Sequence, residues 1–169
     1  MKKFIYLIIS LVLIFLIVGC NKDSATEWYD SKEAAIESGL KHEGTESESF
    51  LSIEEFENET FVVYEYMGGL GVANVVESEK GYGWKRSLPY TDFEVGGELA
   101  YSTSGFDIET ETGLDVSVLV GKTFDSSIQD MKLFGDGTER KLKVHGDTGF
   151  FYAFHKMPTD AVDVSPIVN

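Results

Sequence analysis

The chain has 169 residues and is 43% hydrophobic and 13% aromatic, which suffices to bury the core of one domain and excludes a disordered protein. Its 29 acidic and 14 basic residues give a net charge of −15, so the surface repels phosphate backbones and disfavours nucleic-acid binding. The single cysteine rules out an internal disulfide and a zinc site built from several cysteines.

The first residues are organised like an export signal. Lys2 and Lys3 supply positive charge, and the apolar stretch 4–18 spans about 22 Å as a helix, short of the ~30 Å hydrocarbon core of a bilayer. This length favours a cleaved signal over a permanent membrane span. The only cysteine follows this stretch directly, in the segment Ile17-Val18-Gly19-Cys20.

That segment resembles the lipobox of bacterial lipoproteins. The resemblance implies that a diacylglycerol is attached to the Cys20 sulfur and that a dedicated peptidase cleaves between Gly19 and Cys20. Two acyl chains hold a protein stably at a membrane. Residues 1–19 are then the signal peptide, residues 20–27 the lipidated cysteine and a short tether, and residues 28–169 a single acidic, β-rich domain. We therefore expect a lipid-anchored protein on the extracytoplasmic face of the cell membrane.

One helix is predicted at the start of this domain. Asp30 and Glu33 have the spacing of a capping box, with Asp30 as the N-cap. A narrow apolar stripe from Ala35 to Leu40 follows, and Gly44 is expected to end the helix.

From about residue 50 the sequence indicates strands separated by turns. The segment 61–66 is apolar on both sides, which predicts a central strand, whereas 115–120 and 141–145 alternate apolar and polar residues as half-buried strands do. The predicted fold class is therefore α+β and mainly β. One N-terminal helix is followed by an antiparallel sheet, sandwich or barrel of about seven to nine strands.

The chain has three histidines that could ligate a metal, but their spacing argues against it. Asp147-Thr148-Gly149 suits a three-residue hairpin loop with its glycine in the left-handed conformation. This register pairs His145 with Phe151 and Lys141 with His155. His145 and His155 then lie roughly 13 Å apart on one exposed face, too far to share a zinc ion. We expect solvated histidines and no metal site.

Two further segments look functional but have simpler interpretations. Gly68-Gly69-Leu70-Gly71 looks like a phosphate-binding loop, yet no Lys-Ser/Thr pair follows it, so we expect a strand connection. The acidic segment 43–59 lacks the spacing of a calcium loop and is expected to form a solvated face. Acids are so abundant that no pair stands out as a general acid and base, so no catalytic residue is assigned.

The segment 81–93 is the best candidate for a binding surface. It concentrates aromatic residues beside Lys85 and Arg86, in a chain with only two arginines. If Trp84 and Tyr90 are exposed next to Arg86, they could stack on a sugar ring or grip a carboxylate. Alternatively, alternate aromatics face the core while Lys85 and Arg86 pair with surplus carboxylates, which is the interpretation we favour.

No motif assigns a function to the body, and three classes of function stay open. We favour a membrane-anchored, non-catalytic binding or accessory module at the cell envelope. Its partner would be a protein or an uncharged envelope ligand, without a cofactor. One alternative is a cell-envelope hydrolase using carboxylates, which needs an Asp or Glu of raised pKa in a cleft. The other is an inhibitor or self-protection protein that caps a basic partner.

Overall fold

A computed structural model describes residues 26–45, 49–87, 90–93 and 99–167. The predicted signal peptide, the cleavage site at Gly19 and the lipidation site at Cys20 lie outside these residues. Within them the chain forms eleven strands and one α-helix. The elements are β1 (Trp28–Tyr29), α1 (Lys32–His42), β2 (Phe50–Phe56), β3 (Glu59–Tyr66), β4 (Gly69–Ser78), β5 (Gly81–Arg86), β6 (Tyr101–Glu109), β7 (Asp115–Thr123), β8 (Asp130–Phe134), β9 (Arg140–Lys143), β10 (Phe150–His155) and β11 (Asp163–Pro166).

The strands described here pair antiparallel and form three open sheets. Sheet A has the order β1-β5-β4-β3-β2, sheet B the order β10-β7-β6, and sheet C the order β11-β8-β9. The predicted mainly β fold with one helix and antiparallel sheets is confirmed. The barrel alternative is wrong because none of these sheets closes. The helix is not the first element either, since β1 precedes it and pairs with β5. The strand number was underestimated because elements such as β1, of two residues, carry no periodic signal.

These elements stack in four layers, in the order α1, sheet A, sheet B, sheet C. The α1–sheet A interface contains Ala35, Ile36, Leu40, Val62, Tyr64, Ala73 and Val75. The interface between sheets A and B contains Phe61, Val63, Leu70, Val72, Ile108, Val116, Val118, Val120, Phe150 and Phe154. The interface between sheets B and C contains Leu119, Ile128, Met131, Leu133, Leu142, Val144, Phe151, Ala153, Val162 and Val164. The central strand of sheet B, β7, therefore has both of its faces covered, whereas the edge strand β6 is mostly exposed.

The position of β7 at the centre of sheet B explains its burial. Residues 116–121 are all buried, with Val118 facing sheet A and Leu119 facing sheet C. Successive side chains of a strand point to opposite faces, and neither face of β7 is exposed to solvent. The half-buried pattern predicted for this strand is therefore wrong. Gly121 lies under the ring of Phe151, whose Cζ atom would be 2.1 Å from an added Cβ.

A side-chain cap marks the start of the helix, and a glycine with positive φ follows its end. Ser31 has an extended conformation, and its Oγ accepts a hydrogen bond of 3.1 Å from the Ala34 amide, so Ser31 is the N-cap. The prediction of Asp30 as the N-cap is wrong by one residue. Gly44 follows the helix with a φ of +78°, which a glycine adopts without strain. Its predicted role at the end of the helix is confirmed.

Two-residue turns join the first three long strands of sheet A. Glu57-Asn58 connects β2 to β3, and Met67-Gly68 connects β3 to β4. All four turn residues have positive φ, which is the conformation that suits the right-handed twist of a hairpin. The segment Gly68-Gly69-Leu70-Gly71 is therefore a strand connection, as predicted.

The predicted hairpin at residues 141–155 has the right turn but the wrong strand pairing. Gly149 has a φ of +74°, and the His145 amide donates to the Phe150 carbonyl oxygen at 2.8 Å. Beyond this turn the strands diverge, since β9 pairs with β8 and β10 pairs with β7. Both strands carry apolar residues on their facing surfaces, so they stack as neighbouring layers and do not join into one sheet.

Candidate functional site

Three of the four residues predicted as a binding surface lie together, and the fourth lies elsewhere. Trp84 and Arg86 share the face of β5 that is turned toward α1, and Tyr90 lies beside them. Lys85 points to the opposite face, where its Nζ atom lies 3.1 Å from a carboxylate oxygen of Glu111. The period of two along β5 separates Lys85 from its sequence neighbours.

Glu43 occupies the centre of the predicted site. Its carboxylate accepts hydrogen bonds from Arg86 Nη1 at 2.9 Å, from the Tyr90 hydroxyl at 2.7 Å and from Trp84 Nε1 at 3.3 Å. The Arg86 guanidinium also lies 5.3 Å from the centre of the Tyr90 ring. We call Glu43, Trp84, Arg86 and Tyr90 the Glu43 cluster. The sequence suggested that Arg86 and its aromatic neighbours could bind the carboxylate of a ligand. In the structure they bind the carboxylate of Glu43 instead.

Tyr64 forms the base of the Glu43 cluster. Its side chain is fully buried, and its ring lies 5.6 Å from that of Trp84 and 6.0 Å from that of Tyr90. Its hydroxyl has no hydrogen-bond partner among the described residues. Burial, with a smaller contribution from the charge of Glu43, raises the pKa of Tyr64 well above its ordinary value. The ion pair of Glu43 and Arg86 therefore lies next to two neutral tyrosines, Tyr90 in the cluster and Tyr64 beneath it.

The acidic segment 43–59 was predicted to be a solvated face, and this is wrong for Glu43, whose side chain is 13% exposed, whereas Glu55 is exposed and Glu59 partly exposed. Glu43 binds the donors named above. Glu55 accepts from Lys32 Nζ at 3.0 Å and from the Thr60 hydroxyl at 2.9 Å. Glu59 accepts from the Thr112 hydroxyl at 2.6 Å. These carboxylates connect separate elements of the fold.

The structure shows a second candidate site, which the sequence did not reveal. A cavity of about 290 Å³ is lined by residues 54–56 of β2, 140–143 of β9 and 152–154 of β10, together with His145. Consecutive residues of a strand point alternately to its two faces, so three or four in a row can line a cavity only if the strand's edge borders it. β2, β9 and β10 are edge strands of sheets A, C and B. We call this cavity the edge cleft.

Backbone groups of β9 and β10 point into the edge cleft. The Val144 amide donates to the Gln129 carbonyl oxygen, so every second residue of β9 bonds to β8 while Lys141 and Lys143 are directed away from it. On β10, the Phe154 carbonyl oxygen already points away from β7 and accepts from Arg140 Nη2 at 3.1 Å. By the same alternation, Tyr152 presents its amide and carbonyl to the cleft.

The side chains of β9 make its edge cationic within an acidic protein. Arg140 pairs with Asp136 at 2.6 Å, and Lys141 pairs with Asp130 at 2.8 Å. Lys143 forms no ion pair with any residue that the structure describes. The run Arg140-Lys141-Leu142-Lys143 holds three of the chain's 14 basic residues, and this density was the available sequence signal for the site.

A hydroxyl network closes the edge cleft between β2 and β10. The Tyr152 hydroxyl donates to Ser52 Oγ at 2.5 Å and lies 3.1 Å from His145 Nε2. Burial raises the pKa of Tyr152 to about 12, and burial together with the charge of Lys143 lowers the pKa of His145. At neutral pH both groups are therefore uncharged, and they position polar atoms without adding charge to the cleft.

His155 differs from the prediction that it is solvated, whereas His145 is partly exposed. His155 is 2% exposed, and its Nδ1 donates to the Met157 carbonyl oxygen at 2.9 Å. It lies opposite Ser117 in the ladder, but the Ser117 hydroxyl donates to Asp107 at 2.7 Å. The serine proton is thus directed at the carboxylate, whereas a nucleophilic serine requires its proton to be directed at the histidine.

Comparison with known proteins identifies no relative. No protein-family model, curated protein or solved structure is significantly similar to this chain. Among residues 26–167, omitting the gaps already given, no group of three or more His, Cys, Asp or Glu is placed to hold a metal ion. Over the same part of the chain, no helix is long and apolar enough to cross a bilayer.

Proposed function

We propose that this protein is a bacterial lipoprotein whose body binds a ligand at the outer face of the cell membrane. The anchoring part rests on Ile17-Val18-Gly19-Cys20 at the end of an apolar stretch. Seven residues, 21–27, separate Cys20 from β1, which begins at Trp28. They reach at most about 25 Å, so the tether would hold the body close to the bilayer.

The edge cleft is the observation that supports a binding function. It is a cavity of about 290 Å³, near the lower limit of small-ligand sites, and it is lined by strand edges, by the cations of β9 and by the carboxylates of Glu54 and Glu55. The Glu43 cluster is a weaker candidate because its arginine, tryptophan and tyrosine donors already share one internal carboxylate. Recognition through a preformed, polar cleft fits a binding or accessory module.

Lipid attachment is tested by the mass of the mature amino terminus. In bacterial cells the protein is expected to begin at Cys20 with a diacylglyceryl group and to sediment with membranes. Cys20→Ser removes the thiol, so the variant should stay an unprocessed precursor without acyl mass. A wild-type protein that keeps residues 1–19 and carries no lipid would contradict the anchoring proposal.

The binding function is tested by cross-linking from the cleft in intact cells. A photoreactive p-benzoylphenylalanine is placed at Lys141, on the edge cleft, or at Lys41, on the exposed surface of α1 in the opposite outer layer. Covalent adducts that form from position 141 and not from position 41 are the expected result. Identical adducts from both positions, or none from either, would refute the edge cleft as the ligand site.

A further inference from the structure

The edge of β9 is equipped to accept one more strand. Lys141 and Lys143 direct their amides and carbonyls away from β8, which leaves four backbone groups that pair with no described residue and have the spacing of an antiparallel ladder. In sheet C, β9 pairs with β8 alone among the described strands. The edge cleft leaves open space next to this edge.

We propose that the edge cleft binds an extended peptide segment of a partner protein, which adds to β9 as a fourth strand of sheet C. The segment carries acidic residues at the two positions opposite Lys141 and Lys143 and an apolar residue between them, opposite Leu142. This inference rests on the proposed binding function and names the ligand class of the same site.

The order of side chains in the ligand follows from the faces of sheet C. Met131 and Leu142 are paired across the ladder and face the core, so Lys141 and Lys143 point to the outer face. Residues directly opposite in an antiparallel pair lie on the same face, within reach of each other. The acidic residues of the ligand would therefore meet the two lysines, while its apolar residue would lie on the same face as Leu142, toward the core.

Charge selects an acidic segment at close range. The net charge of −15 repels acidic peptides at long range, but this repulsion is screened beyond about 8–10 Å at physiological salt. The edge cleft is lined by Arg140, Lys141 and Lys143 on β9 and by Glu54 and Glu55 on β2. A segment that pairs with β9 lies next to the lysines, and a basic residue at either position would lie directly opposite a like charge. Binding is expected to weaken as salt concentration rises.

The proposal competes with a simpler role for the same residues. Lysines on an edge strand discourage pairing with other chains, and three edges that surround one cavity shield each other. Both roles use the same lysine side chains, so only a measurement of peptide binding distinguishes them. A protective edge rejects every added strand, whereas a binding edge accepts a strand of complementary charge.

The test uses the full chain purified in detergent and the peptide acetyl-Thr-Glu-Val-Glu-Thr-amide. Binding is followed by backbone amide NMR and by hydrogen exchange of the Lys141 and Lys143 amides. Two control peptides have lysines in place of the glutamates, or the central valine N-methylated so that one backbone hydrogen bond cannot form. The parent peptide should bind and slow exchange at both positions, and both control peptides should bind weakly.

Matched protein variants separate charge from backbone pairing. Lys143→Glu should weaken binding of the acidic peptide about fivefold and improve binding of the lysine peptide, as expected for one cross-strand charge pair. Lys80→Glu makes the same charge change in an exposed turn of sheet A, far along the chain from the cleft, and should leave both affinities unchanged. Equal effects of the two substitutions would overturn the proposal, because they would show a response to net charge only.

Other outcomes are also decisive. Equal binding of the N-methylated peptide would show an anion site without strand addition. A concentration-dependent dimer with protected β9 amides would show that a second copy of the chain fills the cleft. Failure of every peptide, combined with specific cross-links from position 141, would reject strand addition and leave the proposed function standing. Failure of both experiments would reject both.

Discussion

Gly39→Ala should destabilise the protein, although the same change usually stabilises a helix. Gly39 lies in α1 under the Trp84 side chain, and an added Cβ would be 2.0 Å from Trp84 Cδ2 and 2.4 Å from its Cγ. Alanine gains about 1 kcal/mol of helix propensity over glycine. Overpacking costs about 1–3 kcal/mol, and displacing the indole also removes its hydrogen bond to Glu43, worth about 1 kcal/mol. The expected net loss is about 2 kcal/mol.

Urea unfolding of Gly39→Ala measures this loss. With a slope of about 2 kcal/mol per molar urea, the midpoint should fall by about 1 M at constant slope. The double variant Gly39→Ala/Trp84→Leu supplies the control. Once the indole is absent, Gly39→Ala should regain its helix-propensity benefit and stabilise the protein relative to Trp84→Leu alone. If Gly39→Ala stabilises the wild-type background as well, the close packing of α1 against the indole is refuted.

Three further predictions concern the core and the buried polar groups. Glu43→Ala should cost about 3 kcal/mol because three donors lose their acceptor, and urea unfolding should show a much smaller effect for the exposed Glu37→Ala. Gly121→Ala should lower the melting temperature, since its Cβ would lie 2.1 Å from a phenylalanine ring; an unchanged value in calorimetry would contradict this packing. Burial lowers the pKa of His155, so its contribution to the free energy of unfolding is fully present above about pH 6.5. This contribution is lost progressively as the pH falls below that value, because the unfolded chain binds the proton more readily. His155→Gln should flatten that fall in pH-dependent unfolding, and an unchanged pH dependence would contradict the burial of a neutral imidazole.

Local signals in the sequence predicted local structure well. The glycines at 44, 68 and 149 occur where the backbone needs a positive φ, and all three mark the ends or turns that were expected. The apolar segment 61–66 became the interior strand β3 for the same reason, since only a strand covered on both faces tolerates apolar residues on both.

The number of layers could not be obtained from the sequence. The alternation of residues along 115–120 predicts a strand with one buried face. The other face of β7 is also buried because sheet C packs against it, and the sequence of β7 does not reveal sheet C. Small residues at 117 and 121 are compatible with either environment. The predicted pairing of β9 with β10 was wrong for the same reason, since it assumed that both strands belong to one sheet. A tight turn can join two strands of one sheet or two strands of neighbouring sheets.

The candidate sites were only partly predictable. The aromatic and cationic residues of segment 81–93 were recognised, and the period of two along β5 would have separated Lys85 from Trp84 and Arg86. Their common partner Glu43 lies 43 positions before Arg86, and no local pattern connects the two. The edge cleft depends on three strands from three sheets, so it could not be seen before their order was known.

A strand enclosed on both sides has a consequence for the order of assembly. Strand β7 cannot persist alone, because it would expose apolar side chains to water on both faces. Its neighbour β10 starts only at Phe150, and its outer cover comes from β8, β9 and β11. Sheet B therefore gains its full cover only after almost the whole chain has been synthesised. Once complete, β7 should exchange its amide hydrogens only through global unfolding.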